Sequence, residues 1–198
     1  SLHELGIPKV KCYTFDTFED FKKTPDSYLQ SLKKSGKTEQ IGVSIHDNEQ
    51  LKHCINSTLV DVIQIPLNLL DNASQKTSLL KLAKEKSKVL QVRSVFLQGL
   101  FFKERKTFPS GLTPLIKYLI KLEIIANEFS YSLHEMALLY PFSLENIDGV
   151  LVGADSVQQL AENLLILKKG KLHPNILTKI SDINVKEKAL LNPANWNI

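Results

Sequence analysis

Two short apolar runs end on side chains that could do chemistry. Ile41-Gly42-Val43-Ser44-Ile45-His46 carries a hydroxyl and an imidazole at its close, and Asp61-Val62-Ile63-Gln64-Ile65-Pro66-Leu67-Asn68 carries two carboxamides. Buried strands whose carboxyl ends bear the functional groups are the mark of parallel-sheet enzymes. Other chemistries find less support. The two cysteines, Cys12 and Cys54, form no CxxC pair, and the five histidines show no HxxxH or HxH spacing. Zinc, dithiol redox chemistry and metal binding in general are therefore not expected; both cysteines read as reduced, semi-buried thiols of a cytoplasmic protein.

The elements that must position these groups follow a single rhythm. A helix end at 1–5 stops at Gly6 and Pro8, and Val10 to Phe15 reads as a strand. Asp16 to Phe21 has loop chemistry. A helix then runs from Pro25-Asp26 to Lys34, with Gly36 as its C-terminal cap. Gln40 to Ser44 is the second strand, and Asp47 or Asn48 caps a helix from Glu49 to Asn56. Val60 to Ile65 is the third strand, ended by Pro66, which cannot donate to a ladder.

Ser78 to Glu85 is helical and Val89 to Val92 supplies the fourth strand. A loop punctuated by Gly99, Pro109 and Gly111 leads to a helix from Pro114 to Phe129. Ser132 and Glu135 form a capping box for another, Leu133 to Tyr140. Gly149 to Val152 is a brief fifth strand. Asp155-Ser156 caps an amphipathic helix with Leu160, Leu164 and Leu167 at helical spacing. A short helical pattern spans Ile176 to Ile183, and Pro193-Ala194-Asn195-Trp196 packs on the outside. Five strands, each followed by helix, imply an α/β fold with a parallel sheet. An open doubly wound sheet and a stretch of an eight-stranded barrel both satisfy this alternation. No GxGxxG follows a strand, which disfavours a lone dinucleotide-binding unit.

At 198 residues the chain can bury one sizeable core, so residues 1–198 are expected to form a single domain. An apolar share of 43% and a charged share of 23% are ordinary for a globular protein. The net charge of +4 comes from lysines scattered over helix surfaces, without an arginine stripe interleaved with aromatics. Nucleic acid is thus not an expected partner. No apolar run reaches the roughly 18 residues that cross a bilayer, and no secretory signal pattern opens the sequence, so a cytoplasmic location is expected.

From Ile41-Gly42-Val43-Ser44 onward the chain resembles the aldo-keto reductase family. Leu32-Lys33-Lys34-Ser35-Gly36-Lys37 is similar to the lysine-rich helix end that precedes this motif. Asp61 to Asp71 resembles the sixth barrel strand and its loop, Arg93-Ser94-Val95-Phe96-Leu97-Gln98-Gly99-Leu100 the end of strand seven. Asp148 to Ser156, with Gln159-Leu160 and Glu162-Asn163, resembles strand eight and its cofactor helix. The Pro-Ala-Asn-Trp ending is similar to a bacterial branch associated with surface-polysaccharide or sugar biosynthesis. The resemblance implies a TIM (β/α)8 barrel of which this chain holds strands four to eight with their helices, the first three βα units being absent.

It also implies hydride transfer from a nicotinamide to a carbonyl, which requires binding the ring flat, polarising the oxygen and delivering a proton. Ser44 and Gln64 would then hydrogen-bond the ring carboxamide, although Gln64 could be purely structural. Arg93 stands where the family stacks an aromatic on the nicotinamide; its guanidinium could stack, or pair with a carboxylate. Ser94, Phe96 and Gln98 would line the pyrophosphate loop, or simply alternate as strand packing. Gly153, Ala154, Asp155 and Ser156 would meet the adenosine phosphate at a helix N-terminus, with Gln159 and Asn163 at the adenosine end. The family implies NADP(H) ahead of NAD(H), while Gln159 replaces the arginine that many relatives place on the 2′-phosphate and Asp155 adds negative charge.

Two departures bear on catalysis. Asp16 falls where the family has the histidine that orients the substrate carbonyl; it is the one catalytic candidate, or else a loop-capping acid. The catalytic Tyr, its Lys partner and the supporting Asp belong to the first three βα units, and Tyr13 lies inside a strand rather than at its end. Two functions follow. The chain is a portion of an NAD(P)H-dependent oxidoreductase reducing a carbonyl, with a sugar-derived substrate suggested by the branch, and catalytically incomplete alone. Alternatively, it is a non-catalytic descendant that binds a nucleotide or a protein. Self-association or a partner chain would cover its open sheet edges.

Overall fold

A computed structural model of the protein describes residues 2–196. The elements alternate as the periodicity implies: α1 (Leu2–Leu5), β1 (Val10–Phe15), α2 (Phe18–Lys23), α3 (Asp26–Lys34), β2 (Thr38–Ser44), α4 (Asn48–Asn56), β3 (Val62–Pro66), α5 (Thr77–Glu85) and β4 (Val89–Arg93). They continue with α6 (Ile116–Glu128), α7 (Leu133–Phe142), β5 (Gly149–Val150), α8 (Val157–Leu167) and α9 (Pro174–Ser181). The strands form one parallel sheet in the order β1-β2-β3-β4-β5. A doubly wound sheet reverses direction at a switch point, whereas this order has every strand beside its predecessor, as in a barrel.

The residues cluster into two compact units, one comprising the chain up to Ile65 with Thr77–Gln91, the other Pro66–Lys76 with Val92 onward. In the first unit, β1 pairs with β2 so that Thr14 lies opposite Gly42, and β2 with β3 so that Ser44 lies opposite Gln64. Ile41, Val43 and Ile63 point to the other face and are fully buried. Gly42 is required by crowding: a Cβ there would lie 2.6 Å from Thr14 Oγ1 and 3.0 Å from Cys12 Sγ. The Asp61 carboxylate accepts from the Ile41 N–H at 2.8 Å and pairs with Lys33 at 2.5 Å. Buried Lys88 donates to the Ser57 and Val60 carbonyls, both at 2.6 Å, and desolvation lowers its pKa. Cys54 is wholly enclosed and its thiol is pushed up to about 12 by burial.

The stretch 16–21, expected as loop, becomes α2 from Phe18. Thr17 caps it by accepting from the Asp20 N–H at 3.1 Å, and Phe21 is buried beneath. The apolar anchor therefore outweighs the local acidic composition. At α4, Asp47 is the cap and accepts from the N–H groups of Glu49 and Gln50.

In the second unit, Ser132 and Glu135 form the expected capping box on α7. Pro114 sits in a 3₁₀ stretch, Ser110–Leu115, so α6 begins two residues later than its pattern suggests. β5 is shorter than expected, although the Leu151 N–H still donates to the Val92 carbonyl at 2.7 Å. Asn72 ties the segment after β3 to the end of α9, its amide donating to the Ile180 and Ile183 carbonyls at 2.9 and 2.8 Å. The Tyr140 hydroxyl accepts from the Ala73 N–H at 2.9 Å, and burial raises its pKa to about 12. Trp196 closes the described chain by donating to the Leu190 carbonyl.

Candidate functional site

The sheet of the first unit brings Ser44 and Gln64 together as register partners at the carboxyl ends of β2 and β3. Partners in a parallel ladder present their side chains to the same face, so hydroxyl and carboxamide stand side by side. Ser44 is only 3% exposed and Gln64 is half-buried. The Ile45 N–H donates to the Gln64 carbonyl at 3.0 Å, which keeps the two strand ends in step. Cys12 and Thr14 share this face, with their Sγ and Oγ1 atoms 3.4 Å apart. Asp16 stands exposed in the turn before the Thr17 cap. Tyr13 points to the opposite face, edge-on to Phe15 at 5.2 Å and 45% exposed.

In the second unit, β4 ends in a loop of unusual backbone. Ser94, Leu97 and Gln98 have φ of 61°, 46° and 54°, followed by Gly99 at 73°. Non-glycine residues seldom adopt the left-handed region, and each costs about 1–3 kcal/mol, so neighbours must hold them there. Buried Asn68 does so. Its Nδ2 donates to the Ser94 carbonyl at 3.3 Å, while its Oδ1 accepts from the Leu70 and Asp71 N–H groups, each at 2.9 Å. The Leu97 N–H also donates to the Ser94 carbonyl, and the Arg93 guanidinium donates to the Ser94 hydroxyl at 3.2 Å.

This loop forms one wall of a cleft of about 680 Å³ whose other walls are Leu151–Gly153 and one face of α8. Of the residues assigned from sequence, Ser94, Phe96, Gln98, Gly153, Asp155, Gln159 and Asn163 line it together. Ser156 caps α8 by accepting from the Gln159 N–H at 3.1 Å, and Gln159 Oε1 accepts from the Asp155 N–H at 2.8 Å. Ala154 lies between Gly153 and Asp155 in the same turn. Asn163 is buried, and its Oδ1 meets His134 Nε2 at 2.8 Å. Gln159 and Asn163 thus each engage a protein group through the carboxamide oxygen.

Among the other lining residues, Phe102, His134 and Glu162 received no role from the sequence. Phe96, Phe102 and His134 form a ring cluster with centroids 5.2–5.3 Å apart. Their signal was faint, since Phe102 follows an aperiodic loop and His134 sits on a helix that is apolar nearly all round. Glu162 stood within the Glu162-Asn163 pair of the family motif, and the Gln158 amide donates to it at 3.0 Å. Among the described residues no group of three or more His, Cys, Asp or Glu could hold a metal ion. No helix there is long and apolar enough to cross a membrane.

Among solved structures, the chain is similar to the aldo-keto reductase AKR11C1 from Bacillus halodurans, with a TM-score of 0.73 and 21% identity over 94% of this chain and 66% of that one. It is similar also to the glycerol dehydrogenase AKR11B4 from Gluconobacter oxydans, with a TM-score of 0.70 and 20% identity over 92% of this chain and 60% of that one. At such identities the likeness speaks for the fold, and the chain spans about two thirds of the length of these structures. A search of curated proteins finds no match. The family model described as "Aldo/keto reductase family" matches residues 5–185, and with that match over most of its length the chain belongs to the aldo/keto reductase family.

Proposed function

We propose that this chain supplies the cofactor-holding wall of a nicotinamide-dependent oxidoreductase that reduces a carbonyl to an alcohol. The observation that carries this reading is the pairing of Ser44 with Gln64 at adjacent strand ends. A hydroxyl and a carboxamide side by side offer a donor and acceptors to a planar amide, so they fit the carboxamide of a nicotinamide ring. The bound nicotinamide would supply the hydride. Ser44 and Gln64 would set which ring face is presented, and Arg93 would carry positive charge beside the loop from Ser94 to Gly99. The backbone N–H groups that open α8 favour an anion such as a pyrophosphate.

Residues 1–198 are proposed as a single incomplete barrel, matching strands four to eight of a (β/α)8 fold. The consecutive strand order and the share of the relatives' length support this. So do the outer apolar side chains of α8, with Val157 85% and Leu165 61% exposed, which suit a covering helix. Further βα units, in the same polypeptide or another chain, would bring the proton donor. Tyr13 faces the wrong way for that task, and Asp16 takes the position of the family's carbonyl-orienting histidine. A sugar-derived carbonyl is the proposed substrate class and the cytoplasm the proposed location, both by analogy with the resembled branch.

Calorimetric titration with NADH and NADPH tests the reading. At least one should bind with a dissociation constant below about 1 mM, and Gln64→Ala should weaken it about tenfold. Absence of binding by both would remove the cofactor role. The exposed position of Asp16 favours a second reading, a nucleotide-binding descendant without turnover. Cofactor binding without oxidation of NADH or NADPH, by the longest natural chain against a panel of aldehydes and ketones, would select it.

A further inference from the structure

Asn68 makes more contacts than its own turn requires. It follows β3 and is fully buried. Its Oδ1 accepts from the Leu70 and Asp71 N–H groups, and its backbone N–H donates to the Asp71 carbonyl at 3.2 Å. Those bonds close a local turn, and an aspartate would close it equally well. Lys76, itself buried, braces the same turn by pairing with the Asp71 carboxylate. What only the amide supplies is a donor: Nδ2 reaches the Ser94 carbonyl, 26 residues along the chain, at 3.3 Å. The amide cannot be reversed, because reversal would oppose oxygen to oxygen at Ser94 and N–H to N–H at Leu70 and Asp71.

The loop after β4 hangs from that carbonyl. The Leu67 N–H donates to the Arg93 carbonyl at 3.2 Å, and one residue further on the Asn68 side chain takes over from the backbone. The Ser94 carbonyl also accepts from the Leu97 N–H at 3.0 Å, and Ser94, Leu97, Gln98 and Gly99 all have positive φ. Turns with left-handed residues gather successive backbone N–H groups toward one concavity, a form that suits anions. For serine, leucine and glutamine this form is strained, and it lasts only while its anchors hold. The same loop lines the cleft of about 680 Å³. Resting on the cofactor reading above, we propose that Asn68 is a positioning residue for the diphosphate of the nicotinamide cofactor. Its Nδ2, by holding the Ser94 carbonyl, keeps the 94–99 loop in the form that accepts the anion. Asn68 is enclosed and acts through the Ser94 peptide rather than on the cofactor itself.

The test is calorimetry of the full chain with NADH and NADPH at several salt concentrations, beside its variants N68D and N68S. Both variants keep an oxygen for the turn and lose the donor. Each should bind the dinucleotide preferred by the unaltered chain about tenfold more weakly, with a flatter dependence on salt because a charged contact is lost. Amide exchange at 94–99 should quicken in the variants without ligand. A merely structural asparagine would lower the melting temperature and leave the salt dependence alone. Unchanged affinity beside quickened exchange would overturn the proposal and leave the cofactor reading standing. Weakened affinity with an intact salt dependence would do the same. Should the variants fail to fold, the unaltered chain decides: the bound dinucleotide should slow exchange at the 94–99 amides, and binding without that protection would overturn the role of Asn68. Binding of neither dinucleotide by the unaltered chain would overturn the cofactor reading, and this role with it.

Discussion

Gly42 and Asn68 show how single positions hold the two candidate regions in shape. Gly42→Ala would drive a methyl against Thr14 Oγ1 and Cys12 Sγ, both short side chains in the neighbouring strand. Overpacking of this kind costs about 1–3 kcal/mol, so the urea midpoint should fall with an unchanged slope. Asn68→Ala would remove a buried amide that serves the Leu70 and Asp71 N–H groups and the Ser94 carbonyl. A loss of about 2–3 kcal/mol is expected, together with faster hydrogen exchange at the 94–99 loop. Thiol chemistry offers a third check. Cys54 is enclosed, with its pKa near 12, and Cys12 is also raised, chiefly by desolvation. The native chain should therefore react slowly with alkylating reagents at pH 8, and denaturant should release both thiols. Strand-end groups such as Ser44 and Gln64 were legible in the sequence because periodicity alone places the end of an apolar run. Phe102 and His134 were not, because a ring cluster closes through packing between segments far apart in the chain.

At the scale of elements, caps and anchors decided what could be read. The Asp47 and Ser132 caps announce their helices, since a side chain three residues before a backbone N–H is a local signal. Thr17 and Asp20 carry the same signal for α2, but the acidic stretch around them reads as loop until Phe21 is seen buried. The link between α6 and the segment that follows α9 is electrostatic. Glu187 accepts from Lys117 at 2.7 Å and from the Tyr118 hydroxyl at 2.8 Å. The hydrogen bond from Lys117, then that from Tyr118, lowers its pKa from 4.5 to about 2. A carboxylate depressed in the folded state stabilises fully above its unfolded value and loses that contribution as protons are taken up. Stability should thus decline between about pH 4.5 and pH 2, and Glu187→Gln should flatten that part of the pH–melting curve.

For the whole molecule, the incomplete-barrel proposal predicts association. The outer residues of α8 are apolar and exposed, with Leu160 at 52% and Leu164 at 54%. Sedimentation should show self-association that L164K/L165K reduces, whereas a monomer at all concentrations would count against uncovered barrel edges. Fold class was legible at this scale because alternating strand and helix leaves few topologies open. Whether the sheet winds once or twice was not, since that depends on strand neighbours rather than on strand patterns. The neighbour order carries one more consequence. Val10 pairs with Thr38 and Gly42 with Val62, so each strand lies beside the next strand of the chain. Short sequence separation between contacts speeds folding, because little loop entropy is lost before a contact is rewarded. A sheet ordered this way can grow strand by strand as the polypeptide emerges during synthesis, each new βα unit docking on the one just made.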